Sequence, residues 1–547
     1  MSPRGHCMRQ VARCRIQSSQ ESPLLYQSLE KRIGRFVNQR QTGLLLGGAK
    51  GLEKESLRVS PEGGIAQTPH PLALGSALTH PYITTDYSEA LLELITPPRE
   101  AIGEALEFLR AAQKFVYDNL QEEILWATSM PCVVEDGSGI PIAHYGTSNA
   151  GTMKTVYRRG LGHRYGRVMQ VIAGVHFNYS PNEALWPVFQ ELESDRHSLR
   201  SFRDSAYLGL TRNLQRYGWL IPYLFGASPA VCKSFLGGEP TTLEEFDQNT
   251  YFEPFATSLR LGDIGYTNSK EKGVGIKANY NTLDAYIGSL TRAIETPSPL
   301  WQRIGVQVKG RYEQLNANIL QIENEYYSTV RPKQVLEGLE KPVLALRQRG
   351  VRYIELRSLD VNAYHPLGVS EPQLRFLEAF MLFCLLQGSP PINLQEQREI
   401  DQNLGGVAHR GRDPSLYLAR QGREVRMQQW AREICDAMTC ICEILDSQNS
   451  GQPYMQSLRS QRELVEAPEQ TPSARMLEEM RQNGEGFFQF ARRLSMQHYD
   501  YFAGLTFSEE RTAFFQDQAR RSHEGQAQLE ASDKVSFSEF LENYFSQ

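Results

Sequence analysis

The period of hydrophobic and polar positions changes near residue 370. From about 40 to 365, short segments rich in Val, Ile, Tyr and Thr alternate apolar with polar positions and are broken by Gly, Pro and Asn clusters, the pattern of half-buried strands. One helix is predicted among them from about Ile102 to Leu120, where Ile102, Leu106, Leu109, Val116 and Leu120 share a face. Beyond 370 the spacing is helical. Ser370 and Gln373 form an S-x-x-Q capping box ahead of Leu374, Leu377, Met381 and Leu385, and Met427, Ala431, Ile434, Met438, Ile441 and Leu445 recur at intervals of four and three. Stretches rich in Gly, Pro, Ser and Gln at 387–416 and 447–454 read as flexible connections, and no internal repeat is found.

Runs of strands followed by runs of helices predict an α+β fold, with a mainly antiparallel sheet backed by helices rather than a doubly wound parallel sheet. The phosphate-binding motif G-x-x-x-x-G-K-[ST] is absent, and Gly273-x-Gly275-x-x-Ala278 follows the charged residues 269–272 instead of an apolar strand. The expected organisation is an N-terminal extension over 1–25, a catalytic sheet-and-helix core over 26–370, and a helical region over 371–547 packed on the same core.

Charge and composition narrow the function. The 547 residues carry 58 Lys plus Arg against 63 Asp plus Glu, a net charge of −5 without a basic stripe, which argues against a nucleic-acid partner. The longest uncharged stretch, 217–232, is shorter than the roughly 18 to 20 residues of a membrane span and is interrupted by Pro222, Gly226 and Pro229. Cysteines at 7, 14, 132, 232, 384, 435, 440 and 442 form no CxxC pair, which suggests a reduced, cytoplasmic protein. The group at 435, 440 and 442 reads as buried, inert thiols rather than a redox-sensitive patch. The first twenty residues hold Arg4, Arg9, Arg13 and Arg15, no acid and no apolar core, so they are not a secretory signal. A disordered or misassigned start is favoured over an organelle transit peptide.

The chemistry gathers on strands that each place acids on one face. Glu53 and Glu55 lie two apart, Glu93 shares a face with Leu91 and Ile95, and Asp86 sits in the turn before it. Glu355 and Arg357 share a face, His176 and Asn178 oppose Val175, Phe177 and Tyr179, and 320–327 reads as a strand lined by Gln321, Glu323, Glu325 and Tyr327. One such acid pair is an ordinary solvated face; their number is not. If the strands are neighbours, the carboxylates lie about 5 to 7 Å apart and each pair repels by roughly 2 to 3 kcal/mol at an effective dielectric near 20. Carboxylates with one imidazole are the hard donor set of Mg²⁺ or Mn²⁺, ions that share their sites with phosphates. A hydrolase using a metal-bound hydroxide stays open as an alternative, although only His176 lies in a convincing strand and His144 and His163 look like surface residues.

At these residues the sequence resembles the glutamate–cysteine ligases of the bacterial type. The resemblance rests on Gly51-Leu-Glu-Lys-Glu-Ser-Leu-Arg-Val59, Leu74-Gly-Ser-Ala-Leu-Thr-His80, Ile83-Thr-Thr-Asp-Tyr-Ser-Glu-Ala-Leu-Leu-Glu93, Tyr145-Gly-Thr-Ser-Asn149, Gly174-Val-His176, Trp219-Leu-Ile-Pro-Tyr-Leu-Phe-Gly-Ala-Ser-Pro229, Ala256-Thr-Ser-Leu-Arg260, Leu320-Gln-Ile-Glu-Asn-Glu325 and Tyr353-Ile-Glu-Leu-Arg-Ser-Leu-Asp360. It covers about 43 to 365 and implies a fold related to glutamine synthetase, a curved sheet forming a funnel over helices. It implies ATP-dependent ligation of L-glutamate to L-cysteine through a γ-glutamyl phosphate, the first committed step of glutathione synthesis, with glutathione as feedback inhibitor and a monomeric enzyme. Carried over by position, Glu53, Glu55, Asp86, Glu93, His176 and Glu355 match metal ligands, and Arg357 matches the contact to the transferred phosphoryl group. Tyr87, Tyr157, Leu161, Gln170, Arg260, Tyr266 and Tyr327 match the cysteine pocket, Tyr87 standing where the family is expected to have Phe. Glu323 and Glu325 receive no role. A ligase using another amine and a catalytically silent paralogue are the remaining rivals.

Overall fold

The computed structural model describes residues 26–134, 137–265 and 276–547. Its main sheet has strands β1 (Ala49–Val59), β2 (Ile83–Thr85), β3 (Leu91–Ile95), β4 (Ile124–Leu125), β5 (Gly174–Ser180), β6 (Val330–Lys333) and β7 (Tyr353–Asp360). Their order is β6-β7-β5-β1-β3-β2, with β4 paired to one end of β1, and every pairing is antiparallel. The expected α+β class, with a mainly antiparallel sheet, is what the chain adopts.

Alternation decides what each face meets. On β5, Val175, Phe177 and Tyr179 are buried among apolar side chains, and on β7 so are Ile354 and Leu356. The helices Ile102–Asn119 and Leu199–Tyr217 cover that side of the sheet. β1 sends Lys50 and Lys54 to the same side, where each has a partner: Lys50 Nζ lies 2.7 Å from Glu378 Oε1, and Lys54 Nζ donates to Gln113 Oε1 at 3.1 Å. Tyr454 closes the first pair by donating to Glu378 Oε2 at 2.6 Å. Burial pushes the Lys54 amine down to about 7. The opposite face, carrying the acids, opens onto a cavity.

The helical region joins the same core, which runs without a break from Tyr26 and Leu29 to Leu541 and Tyr544. Helix Glu371–Leu386 begins at the expected box, Gln373 Oε1 accepting from the Ser370 backbone N–H at 2.9 Å, and the helix Met427–Leu445 has the expected bounds. The stretch 387–416 is not simply a connection, because it contains the helix Leu394–Arg410. Asn393 caps that helix by accepting from Glu396 N at 2.9 Å, and only Ile400, Asn403, Val407 and Ala408 are buried. So narrow an apolar stripe is masked by its Gln and Gly neighbours.

The cysteine expectation also changes. Cys132 and Cys232, 100 residues apart, are disulfide-bonded with Cα atoms 5.5 Å apart. Cys384, Cys435 and Cys442 are buried free thiols, and burial pushes Cys435 up to about 12, whereas Cys440 departs from the expectation for its group: it is only partly buried and is disulfide-bonded. Residues 1–25 lie outside the described residues, and no helix among those described is long and apolar enough to cross a membrane.

Two buried histidines couple this packing to pH. His80 Nδ1 accepts from the backbone N–H groups of Tyr82 and Ile83, at 3.1 and 2.8 Å, a role that only the unprotonated nitrogen can fill. Burial and the His523 charge bring its pKa to about 4; burial and Lys54 bring His498 to about 3. Both values lie below the unfolded 6.5, so the unfolded chain takes up protons first and stability is lost as pH falls from 6.5 toward 4. Each imidazole contributes up to about 1.4 kcal/mol per pH unit. Urea denaturation of the native protein and His498→Gln from pH 7 to 4 should show a shallower loss in the variant by about that slope; identical slopes would contradict this.

Candidate active site

The register assembles the acids. Glu53 on β1 faces His176 on β5, Glu55 faces Glu93 on β3, and Glu355 on β7 faces Asn178 on β5. Four adjacent strands thus carry the cluster, with Asp86 just past β2. His176 is its centre. Its Nδ1 lies 2.8 Å from Glu53 Oε2 and 4.0 Å from Glu355 Oε1, and its Nε2 lies 3.5 Å from Glu55 Oε1. Ligand atoms of Glu53, Glu93 and His176 fall within 4.8 Å of one another.

Backbone and amide donors fix the carboxylates. Glu55 Oε2 accepts from Gly174 N at 2.6 Å, and Glu53 Oε1 accepts from Asn178 Nδ2 at 2.8 Å. The cations stand on the β6 side. Arg357 Nη1 lies 3.3 Å and Lys333 Nζ 3.7 Å from Glu355 Oε1. The β7–β5 register shifts between Leu356 and Leu359, a bulge that re-aims the side chains at this point. Arg357 sits on it, and its backbone carbonyl accepts from Arg260 Nη2 at 2.9 Å. Gly174 leaves room for Arg260, since a Cβ there would lie 2.1 Å from Nη2.

This distribution separates the acids electrostatically. Burial alone would raise every carboxyl, but Lys333, Arg357, Arg331 and His176 hold Glu355 well below the usual range. For Glu53, burial is outweighed by the His176 hydrogen bond and charge, and the net direction is down. Burial and the Asp86 charge raise Glu55. Burial with the charges of Glu53, Asp86 and Glu55 pushes Glu93 well up. Glu355 Oε2 and Asn178 Oδ1 are buried with no hydrogen-bond partner among the described residues. Excess carboxylate oxygen, one imidazole and two orphaned acceptors fit a hard divalent cation such as Mg²⁺ or Mn²⁺.

A cavity of about 680 Å³ covers the cluster, and the other candidates line it. Tyr157 and Leu161 come from the helix Asn149–Tyr165, Gln170 from the short helix Val168–Val171, Arg260 from the 3₁₀ turn Leu259–Leu261, and Tyr87 and Tyr327 from loops around them. The Tyr87 hydroxyl is buried without a hydrogen-bond partner among the described residues, and burial pushes it up to about 12. Tyr266 lies outside the described residues.

The 320–327 expectation needs correction. The segment is a loop with one turn of 3₁₀ helix, Glu323–Glu325, and not a strand. Its alternation comes from separate buried partners rather than a sheet face. Glu325 Oε1 accepts from Arg164 Nη1 at 2.7 Å and the Tyr165 hydroxyl at 2.8 Å, while Oε2 accepts from Gln321 N at 2.8 Å. Glu325 is therefore a buried structural acid. Sequence reasoning also passed over Arg331 and Lys333 on edge strand β6, and Lys154 and Arg158, which lie over the Tyr145 ring at 5.1 and 4.6 Å. The Arg-Pro-Lys alternation of an edge strand was the available signal for the first pair, and the one-turn spacing for the second.

A buried acid cluster with counter-cations, on an antiparallel sheet and under a cavity of ligand size, suits enzymes that handle phosphoryl groups with hard cations. The glutamate–cysteine ligase family model matches residues 33–407. The chain is 47% identical over 523 residues to a glutamate–cysteine ligase of Alcanivorax borkumensis, covering 94% of this chain and 99% of that one. It is 45% identical to one from Pseudomonas paraeruginosa, over 90% and 93% of the two chains. A crystal structure of the Francisella tularensis glutamate–cysteine ligase in complex with AMP superimposes with a TM-score of 0.86 at 35% identity, over 92% of this chain and 98% of that one. A bifunctional glutathione synthetase from Pasteurella multocida shares the fold, with a TM-score of 0.71 at 23% identity over 90% and 58% of the chains. This chain belongs to the glutamate–cysteine ligase family.

Burial and the charges of Glu53, Asp86 and Glu55 raise the Glu93 carboxyl, so the neutral and nearly isosteric glutamine relieves repulsion in the metal-free protein. Glu93→Gln should therefore melt within about 2 °C of the native protein when metal-free, whereas Mn²⁺ should raise the native melting temperature and leave the variant's unchanged. A variant that melts far lower, or responds fully to Mn²⁺, would remove Glu93 from the ligand set.

Proposed function

We infer that this cavity joins the γ-carboxylate of L-glutamate to the amine of L-cysteine at the expense of ATP, giving γ-glutamylcysteine, ADP and phosphate, the first step of glutathione biosynthesis. The observation that carries the reading is the placement of Glu53, Glu55, Glu93, His176 and Glu355 on four adjacent strands, with Arg357 beside them in one cavity. The AMP in the Francisella relative supports a nucleotide at the same fold's site.

Glu53, Glu55, Asp86, Glu93, His176 and Glu355 would hold Mg²⁺ or Mn²⁺, which when bound offsets the charge of the phosphate oxygens. Arg357 presents a guanidinium fork to the γ-phosphoryl group, and Lys333 and Arg331 extend that positive strip along β6. A γ-carboxylate oxygen of glutamate attacks the γ-phosphorus, the bond to the bridging oxygen breaks, and ADP leaves. The cysteine amine then attacks the acyl carbon, phosphate departs with the former carboxylate oxygen, and the nitrogen loses its proton. Tyr87, Tyr157, Leu161, Gln170, Arg260 and Tyr327 form the cysteine pocket, aromatic and aliphatic toward the thiol and polar toward the amino-acid end. Glutathione, resembling the product, competes for these pockets. The enzyme acts as a cytoplasmic monomer, its 26–370 core and 371–547 helical region working as one unit.

ADP release by purified protein should require Mg²⁺, ATP and both amino acids, with cysteine preferred over serine and 2-aminobutyrate. Turnover without ATP would instead favour a hydrolase. Arg357→Lys should lower kcat by about a hundredfold or more at unchanged melting temperature, because an ammonium cannot replace a bidentate fork. Near-native turnover in that variant would refute the role given to Arg357.

A further inference from the structure

One end of the cavity has no role yet. It lies beyond Arg331 and Lys333 and is lined by Ile322, Glu323, Leu336, Leu339, Pro342 and Tyr544. Most of this surface is apolar, yet it contains two carboxylates, and of these Glu340 is paired with Arg349. Glu323 is 5% exposed, and its Oε1 accepts from Val343 N at 3.3 Å. Its Oε2 is buried with no hydrogen-bond partner among the described residues. An acceptor left unpaired in an apolar wall is costly and marks a place where a donor belongs.

Tyr544 reaches this wall from the far end of the chain, on the helix Phe537–Phe545, and the tail is tied down to hold it there. Lys341 Nζ donates to the backbone carbonyls of Phe545 and Gln547 at 2.8 and 3.4 Å. Gln547 Oε1 accepts from Lys341 N at 3.2 Å, and its Nε2 donates to Leu339 O at 3.4 Å. Outward from the acid cluster, the cavity presents cations and then a hollow of mainly aliphatic and aromatic surface in which the Glu323 Oε2 acceptor is buried without a partner among the described residues. A nucleoside triphosphate has the complementary order: an anionic tail, then a flat base whose edge carries donors.

We propose that Glu323 accepts a hydrogen bond from the exocyclic amino group of the ATP base, and that Tyr544 of the last helix is the aromatic wall against which that base lies. Glu323 is thereby the residue that separates adenine from purines with a carbonyl at the same position, where two acceptors would face each other. The proposal rests on the reading that ATP occupies this cavity.

The test is steady-state kinetics with ATP, ITP and the triphosphate of unsubstituted purine riboside. The native protein should favour ATP over both others by about tenfold or more in kcat/KM. Glu323→Gln keeps an acceptor for Val343 N–H but turns an amide donor toward the base, so its KM for ATP should rise about tenfold while that for ITP falls. The KM values for glutamate and cysteine should stay within about twofold, as expected for a change confined to the nucleotide end. Tyr544→Ala should raise KM for ATP and ITP alike and leave their ratio intact. Equal native use of the three nucleotides overturns the proposal even if Glu323→Gln fails to fold, and so does an unchanged ATP to ITP ratio in a folded Glu323→Gln. A native protein that turns over no nucleotide would instead defeat the reading of the cavity itself.

Discussion

Mutual repulsion among carboxylates held on one face of a sheet is the constraint around which this molecule is arranged. Glu53, Glu55, Glu93 and Glu355 surround His176 closely enough that burial and neighbouring charge raise Glu55 and Glu93 while nearby cations hold Glu355 down. Such a cluster persists only on a scaffold stiff enough to deny the side chains another arrangement. The opposite face provides that stiffness. Helices cover it, and the buried Lys50, Glu378 and Tyr454 contacts bind β1 to the helix Glu371–Leu386, part of the helical second half of the chain.

The cations complete the arrangement without neutralising it. Lys333 and Arg357 approach Glu355 from the β6 side of the sheet, whereas the charges that bear most on Glu93 are those of Glu53, Asp86 and Glu55. The acid face is therefore graded, the Glu355 carboxyl held down beside Arg357 and those of Glu55 and Glu93 raised toward β3. That grading suits a site in which positive ions enter on one side and a phosphoryl group is received on the other. The bulge at Arg357 and the close approach of Arg260 to Gly174 fix the guanidinium relative to both.

Much of this was legible in the sequence because strand alternation is a local property. The faces of 51–58, 172–180 and 351–358 follow from period two alone, and the box at Ser370 and Gln373 gives the start of its helix. What escaped was long-range. Alternation over 320–327 imitates a strand because Gln321 and Glu325 each answer a distant buried partner, including Arg164. The helix Leu394–Arg410 buries too narrow a stripe to announce itself, and the pairing of Cys132 with Cys232 depends on tertiary contact. The return of the C-terminal helix to the cavity mouth has no signature in the residues around Tyr544. Strand adjacency, on which the whole cluster depends, is likewise a property of the fold and not of any one segment.

The central claim is that the acid face serves to move a phosphoryl group onto a carboxylate. Glutamate labelled with ¹⁸O in its γ-carboxylate, turned over with ATP and cysteine, tests this directly through the mass of the phosphate released. One labelled oxygen should appear in each phosphate, carried there by the broken acyl phosphate. Unlabelled phosphate, with the labelled oxygen lost from the carboxylate appearing in water instead, would show that no bond between that carboxylate and phosphorus ever formed.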